Sequence, residues 1–158
     1  MHTIYVALGA NIGNKKETIE KAITLLKEKV HVQKSAPIYE TKPWGYIAQD
    51  NFLNTALKGT TKLSPQDLLV FIKNIEKKLG RIKRFKNGPR EIDIDILFYD
   101  DIIHKNKDLQ IPHPRIAERN FVLQPLQDIN PELIHPMLQK SIRQLLQALP
   151  ESSDIILV

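Results

Sequence analysis

The sequence predicts an α+β sandwich whose first six elements run β-α-β-β-α-β, with further helices and strands added at the C-terminal end. Three observations carry this. Alternating apolar segments and segments of 3.6-residue periodicity follow one another in that order. Both early periodic segments open on capping residues, and the second closes on a glycine. The 158 residues contain no internal repeat, low-complexity tract or linker, so a single domain over 1–158 is expected.

"TIYVALGAN" is rich in β-formers and ends at Gly9 and Asn11, the pattern of a strand entering a turn. Asn14 is an N-cap with Glu17 three residues on, and Ile19, Ala22, Ile23 and Leu26 then follow helical spacing, giving a helix over 15–29. Val30 to Tyr39 reads as a second strand bent near Pro37, followed by the polar loop "ETKPWGYIAQDN". "FLNTALKGT" alternates as a third strand. Ser64-Pro65 starts a second helix, since Ser caps and Pro fits the first helical position. Its stripe is Leu68, Ile72, Ile75 and Leu79, and Gly80 stops it at C′. A basic loop over 81–90 leads into a strand from Ile92 to Tyr99. Prolines 112, 114, 125, 131 and 136 then imply short helices and turns, before an amphipathic helix from Ser141 to Leu149 and a terminal strand "DIILV". The order of the first six elements is that of the ferredoxin-like sandwich.

Composition narrows the function. With 42% hydrophobic and 26% charged residues the chain predicts a packed soluble globule. No apolar run approaches the ~18 residues of a membrane span, and the N-terminus lacks the pattern of a signal peptide. The absence of cysteine excludes disulfides and zinc–thiolate sites and fits a reducing compartment, so a cytoplasmic location is expected. A net charge of +5 favours anionic ligands. That charge is concentrated: Lys73, Lys77, Lys78, Arg81, Lys83, Arg84, Lys86 and Arg90 fall in one stretch with a single acid, Glu76. A solvated helix end would look the same by composition.

The most informative stretch is "NGPREIDIDILFYDD". Strand alternation puts Asp93 and Asp95 on one face and Ile92, Ile94, Ile96 and Phe98 on the other. Two carboxylates ~6 Å apart at an effective dielectric of ~20 repel by roughly 3 kcal/mol. A hard divalent cation relieves that, and Mg²⁺ is commonly held by one or two carboxylates plus substrate phosphates. Water, or nearby Lys and Arg, would relieve it too. The upstream "RIKRFKNGPR" favours the metal, because a cationic loop beside a metal-binding pair suits triphosphate chemistry. No P-loop or kinase-type glycine-rich loop is present. Phe52 and Asn54 share a strand face, an aromatic plate beside an amide that suits a flat heterocycle, or else a core Phe and a strand-end Asn. His113, held between two prolines, precedes Arg119 and Phe121. A rival reading, a ferredoxin-like RNA-binding module without catalysis, lacks the aromatic run such modules use and gives no reason for two aspartates on the working face.

"NGPREIDIDIL" resembles the signature of the 6-hydroxymethyl-7,8-dihydropterin pyrophosphokinase family of the folate pathway: Gly88-Pro89-Arg90, two spacers, then Asp93, Ile94, Asp95, Ile96 and Leu97. "ALGANIG", "YETKPWG", "FLN", "IEKKLGR" and "IPHPRIAERNFVLQPL" continue the resemblance in order along the chain. The resemblance implies a ferredoxin-like core, mobile loops, and ATP-dependent transfer of pyrophosphate to a pterin. It implies two Mg²⁺ ions on Asp93 and Asp95, and catalytic roles for Arg81, Lys83, Arg90 and Asp95. It places Lys73, Glu76, Arg90, His113 and Arg119 with ATP. Thr41, Pro43, Trp44, Phe52, Asn54 and Phe121 would form the pterin pocket, with Phe52 and Phe121 sandwiching the ring, and Gly9 and Asn11 a scaffold beside it. Small-molecule substrates and a monomer are expected, without nucleic-acid or membrane partners. The chain departs from the family pattern at Asn87, where Trp is frequent, at Pro114 and Phe52, where Tyr is frequent, and at Trp44, where a smaller aliphatic residue is frequent. Trp44 is expected to give aromatic cover that Asn87 cannot.

Overall fold

The computed structural model describes residues 1–152 and 154–158. The elements are β1 (His2–Ala10), α1 (Lys15–Leu26), β2 (Val30–Ser35), β3 (Tyr39–Thr41), β4 (Phe52–Thr61), α2 (Pro65–Lys78), β5 (Asp93–Tyr99), a small hairpin of β6 (His104–Lys105) and β7 (Gln110–Ile111), a 3₁₀ turn (Ile116–Glu118), α3 (Asn120–Ile129), α4 (Ile142–Gln147) and β8 (Ile155–Leu157). The main sheet runs β5-β1-β4-β3-β8 with antiparallel neighbours, and β2 pairs with the Leu57–Thr61 end of β4.

The caps form as the residue types require. Asn14 Oδ1 accepts from Glu17 N, and Ser64 Oγ accepts from Asp67 N with Pro65 in the first turn. The reciprocal bond expected from Glu17 goes to the Asn14 side-chain amide rather than to the backbone. Ser141 and Gln144 make a full capping box on α4. Gly80 follows α2 at φ +87°, a left-handed position that suits glycine.

Three expectations are corrected. The helix predicted over 15–29 ends at Leu26. The bent strand expected over Val30–Tyr39 is two strands, because the chain leaves the sheet around Pro37 and rejoins β4 further along as β3. Phe98 does not share a face with the isoleucines. In β5, Tyr5 lies opposite Phe98 but Val6 opposite Ile96, so Leu97 is an extra residue and the bulge reverses the alternation beyond it. Ile92, Ile94 and Ile96 pack with Ile4, Val6, Leu8 and Leu57 against α1 and α2. Leu97 and Phe98 instead join Tyr5 and Ala56 beneath α3 and α4. The proline-rich region also holds more helix than its composition suggests, since α3 runs through Pro125 on a buried stripe of Val122, Leu123, Leu126 and Ile129.

Both sheet faces are therefore covered, but unequally. On the second face the packing reaches Tyr5, Ala56 and Phe98 and then stops, and the remaining part of that face carries Gly9, Asn54, Asp93 and Asp95.

Candidate active site

Small residues open the space in front of the carboxylates. Asp93 lies opposite Gly9 and Asp95 opposite Ala7, so β1 offers nothing larger than a methyl beside them. Across β1, Gly9 also faces Asn54, and a Cβ on Gly9 would meet Asn54 Oδ1 at 2.5 Å. Glycine thus lets the Asn54 amide lie across the strand, where its Nδ2 donates to Thr41 Oγ1 at 2.6 Å. Phe52, Phe121 and Trp44 wall the resulting slot, which has Asp93, Asp95, Arg90 and Arg119 at one end. An aromatic slot with a few convergent polar groups is how proteins bind planar ligands.

A charge network anchors one aspartate and leaves the other without an ion pair among the described residues. Arg90 Nη1 donates to Asp93 at 2.6 Å and Arg81 Nη1 at 3.0 Å. Arg81 Nη1 also donates to Glu76 at 2.6 Å. Glu76 is only 3% exposed, and its remaining capacity takes Lys73 Nζ at 3.2 Å and the Ile94 backbone N–H at 2.8 Å. Burial alone would raise the Asp93 carboxyl, but Arg90 and Arg81 outweigh it and hold it below the usual range. Burial and then the Asp93 charge push Asp95 up to about 7, with Arg119 and Lys73 offsetting them in part. Among the described residues no three His, Cys, Asp or Glu side chains come together to cage a metal. Two carboxylates whose repulsion is only partly relieved fit Mg²⁺ that takes its other ligands from phosphate and water.

The cationic loop is built rather than loose. Arg84 grips Glu91 through two bonds of 2.7 Å, closing the loop at its base and holding the Glu91 carboxyl down at about 2. Gln49 Nε2 donates to Asn87 O at 2.7 Å, and Asn11 Nδ2 donates to Gln49 Oε1 at 2.8 Å. Asn11 Oδ1 in turn accepts from Arg90 N at 2.8 Å. Tyr46 meets Phe85 edge-on at 4.8 Å. Asn87 adopts φ +59°, a left-handed conformation that Asn tolerates far better than Trp, and its side chain abuts Gly45 so closely that a Cβ there would lie 2.6 Å from Nδ2. Asn87, one of the positions where this chain departs from the family pattern, is thus where its two long loops touch.

Thr41, Trp44, Phe52, Asn54, Phe121, Arg90, Asp93, Asp95 and Arg119 converge on the slot. Lys73, Glu76, Arg81 and Lys83 line an adjoining open cleft, and Arg90 and Asn87 border both. Glu76, expected to touch nucleotide, turns its carboxylate inward onto Arg81, Lys73 and Ile94 N–H. Pro43 faces a separate cleft beside the C-terminal segment and not the slot. His113 lines none of these cavities; its Nδ1 accepts from Arg115 N at 3.2 Å. Sequence reasoning missed Gln49, Glu91 and Arg115. Glu91 was findable as the acid that closes a basic loop, whereas Gln49 carried no signal.

Burial, and then the Arg119 charge, push His113 down to about 4, so the folded protein holds it neutral while the unfolded chain protonates it near pH 6.5. The unfolded state therefore binds more protons between those values, and this group's share of stability is lost as pH falls from about 6.5 to 4. His113→Asn, which keeps an acceptor for Arg115 N–H, is expected to lose less stability than wild type between pH 7 and 4.5. Urea unfolding at both pH values checks this; equal losses in the two proteins would refute it.

The polar-ended slot and the cation-lined cleft suit a protein that binds a planar ligand beside phosphate, and the family match makes that class a transferase. The chain belongs to the 7,8-dihydro-6-hydroxymethylpterin-pyrophosphokinase (HPPK) family, whose model matches residues 5–131. It is 47% identical over 144 residues to a 2-amino-4-hydroxy-6-hydroxymethyldihydropteridine pyrophosphokinase of Aquifex aeolicus, covering 91% of this chain and 90% of that protein. It is 45% identical to the Folic acid synthesis protein FOL1 of Dictyostelium discoideum, over 96% of this chain but only 23% of that longer relative. A mitochondrial folate synthesis bifunctional protein of Pisum sativum is 41% identical over 80% of this chain and 25% of its own length. Among solved structures, wild-type Plasmodium falciparum HPPK-DHPS superposes with a TM-score of 0.75 at 19% identity, over 92% of this chain and 44% of that one. An HPPK-DHPS structure in complex with substrates gives 0.72 at 20%, covering 93% and 43%. These two likenesses establish the fold. The chain is thus a pyrophosphokinase by family, and several longer relatives are named for folate synthesis.

Proposed function

We propose that this chain transfers the pyrophosphoryl group of ATP to the hydroxymethyl oxygen of 6-hydroxymethyl-7,8-dihydropterin and releases AMP. The carrying observation is that the aromatic slot and the cationic cleft meet at Arg90 beside the two aspartates. A planar acceptor in the slot stacks between Phe52 and Phe121 and meets Asn54 and Thr41 along its polar edge. Its hydroxymethyl arm points to the aspartate end, and the triphosphate lies along the cleft. Asp93 and Asp95 are the residues that would hold Mg²⁺, which when bound neutralises phosphate oxygens and fixes their geometry.

The chain's own work is positioning and electrostatics, as in phosphoryl transfer generally. Arg81 and Arg90 present planar donors that match phosphate bidentately. Lys83, exposed on the loop, supplies a mobile cation, and Arg119 closes the other side. His113 holds an Nε2–H donor, since its Nδ1 already accepts from Arg115. Thr41 Oγ1 and Asn54 are pre-oriented by their mutual bond, which lowers the ordering cost of binding. No side chain is needed as a dedicated general base. We read the enzyme as a cytoplasmic monomer acting on small molecules; the lack of cysteine supports the reducing compartment. The RNA-binding reading leaves the two aspartates in the slot without a purpose.

The product decides the reaction. Incubation with ATP, Mg²⁺ and hydroxymethyldihydropterin is expected to give AMP in step with pterin diphosphate. ADP would instead indicate γ-phosphoryl transfer, and no nucleotide turnover would defeat the proposal.

A further inference from the structure

The arginines of this site are held in different ways. Arg81 and Arg90 rest on carboxylates. Arg119 has no ion pair and no side-chain hydrogen bond among the described residues, and its Nε is buried without a partner. Aromatic rings hold it instead: its guanidinium carbon lies 4.7 Å from the Trp44 centroid and 5.6 Å from that of Phe121. The guanidinium of Arg115 lies 4.9 Å from the same Trp44 ring, and its nearest acidic contact, Glu118, is at 3.9 Å. One indole therefore carries two cations. It sits on the loop between β3 and β4 and lines the slot, whereas Arg119 is the residue that opens α3.

We propose that Trp44 is a positioning residue for the phosphate side of the site: its indole fixes the reach of Arg119, with Arg115 as a second stacked cation, so a wall of the heterocycle slot sets the affinity for nucleotide. This rests on the assignment of slot and cleft made above. An arginine side chain has ~2 kcal/mol of rotamer entropy to lose before its planar head can meet phosphate. Arg81 and Arg90 have that freedom removed by acids that compete with phosphate for the same donors. Arg119 has it removed by a π-face, which takes none of its N–H donors. Trp offers the best such face, Phe a weaker one and Leu none. The two stacked guanidinium groups repel each other, and an anion arriving at Arg119 relieves that repulsion.

Trp44 is the single tryptophan, so emission excited selectively in the indole band, away from the four tyrosines, reports on this ring. Titration of the full chain with Mg²⁺ and a non-hydrolysable ATP analogue, without pterin, is expected to change that emission saturably. By calorimetry, Trp44→Leu is expected to weaken analogue binding roughly five- to tenfold, while Trp44→Phe stays within about twofold of wild type. The graded pair guards against a folding artefact, because Phe preserves the packing and Trp44 lies on a loop. Wild-type analogue affinity in Trp44→Leu, or wild-type emission unmoved by saturating nucleotide, would overturn the proposal even if pterin binding suffered. Because these readouts need no turnover, a protein that binds nucleotide through Trp44 yet forms no AMP would refute the proposed reaction and leave this inference standing. A wild-type protein that binds no nucleotide would overturn both.

Discussion

Asp95→Asn is expected to make the substrate-free protein more stable while abolishing pyrophosphoryl transfer. Asp95 is recessed beside Asp93, and no cation among the described residues bonds to it directly; burial and that neighbour push its carboxyl up to about 7. Its charge is thus a burden on the folded state that the unfolded chain does not bear. Water reaches the slot, so the burden is discounted from the value a sealed interior would give, to about 1–3 kcal/mol. Asn has the same shape and no charge. For a chain of this size such a gain raises Tm by roughly 3–10 °C at pH 8. The same change removes one of the two candidate metal ligands, and turnover is expected to fall at least ~10³-fold. Thermal melts with and without Mg²⁺ and the ATP analogue, beside an AMP assay, read both effects. Ligand should raise the melting point of wild type far more than that of the variant. A variant that melts lower without ligand, or turns over normally, would contradict this account.

That prediction also shows what the sequence could and could not convey. Alternation along β5 was enough to put Asp93 and Asp95 together, because a period of two is a local property. It misplaced Phe98 because the bulge at Leu97 arises from pairing with β1, which no local pattern encodes. Capping residues placed the starts of α1 and α2, since each cap is satisfied within a few residues. The division of Val30–Thr41 into two strands was not legible, because β4 accepts both on one edge. In the site, the family resemblance named many of the residues that line the slot, but it also placed Pro43 there, which faces another cleft. The roles of Gln49 and Asn87 depend on two loops far apart in sequence meeting face to face. Glu76 was legible as a lone acid in a basic stretch, but its burial was not.

Glu76 is where fold and site depend on the same atoms. Its carboxylate accepts from Arg81, from Lys73 and from the Ile94 backbone N–H, tying α2 both to the residue between the two aspartates and to the arginine that grips Asp93. Lys73 is half exposed and can turn to water, but the Ile94 N–H is buried and the Arg81 guanidinium is only partly exposed. Glu76→Ala therefore leaves an unsatisfied buried N–H and a half-buried guanidinium without one of its two anions. Removing one member of such a network costs about 3–5 kcal/mol. The corresponding fall in Tm is on the order of 10 °C. Glu76→Gln keeps an acceptor for Ile94 N–H and a similar volume, so the loss of stability should be smaller, about 1–2 kcal/mol. Its loss of turnover should remain, because Arg81 then depends on Asp93 alone and competes with Arg90 for it. Urea unfolding separates the two variants, and steady-state kinetics on Glu76→Gln tests the second effect in a folded protein. If Glu76→Ala unfolds like wild type, the network is not what holds α2 to β5. If Glu76→Gln turns over like wild type, the negative charge at this position has no part in aiming Arg81.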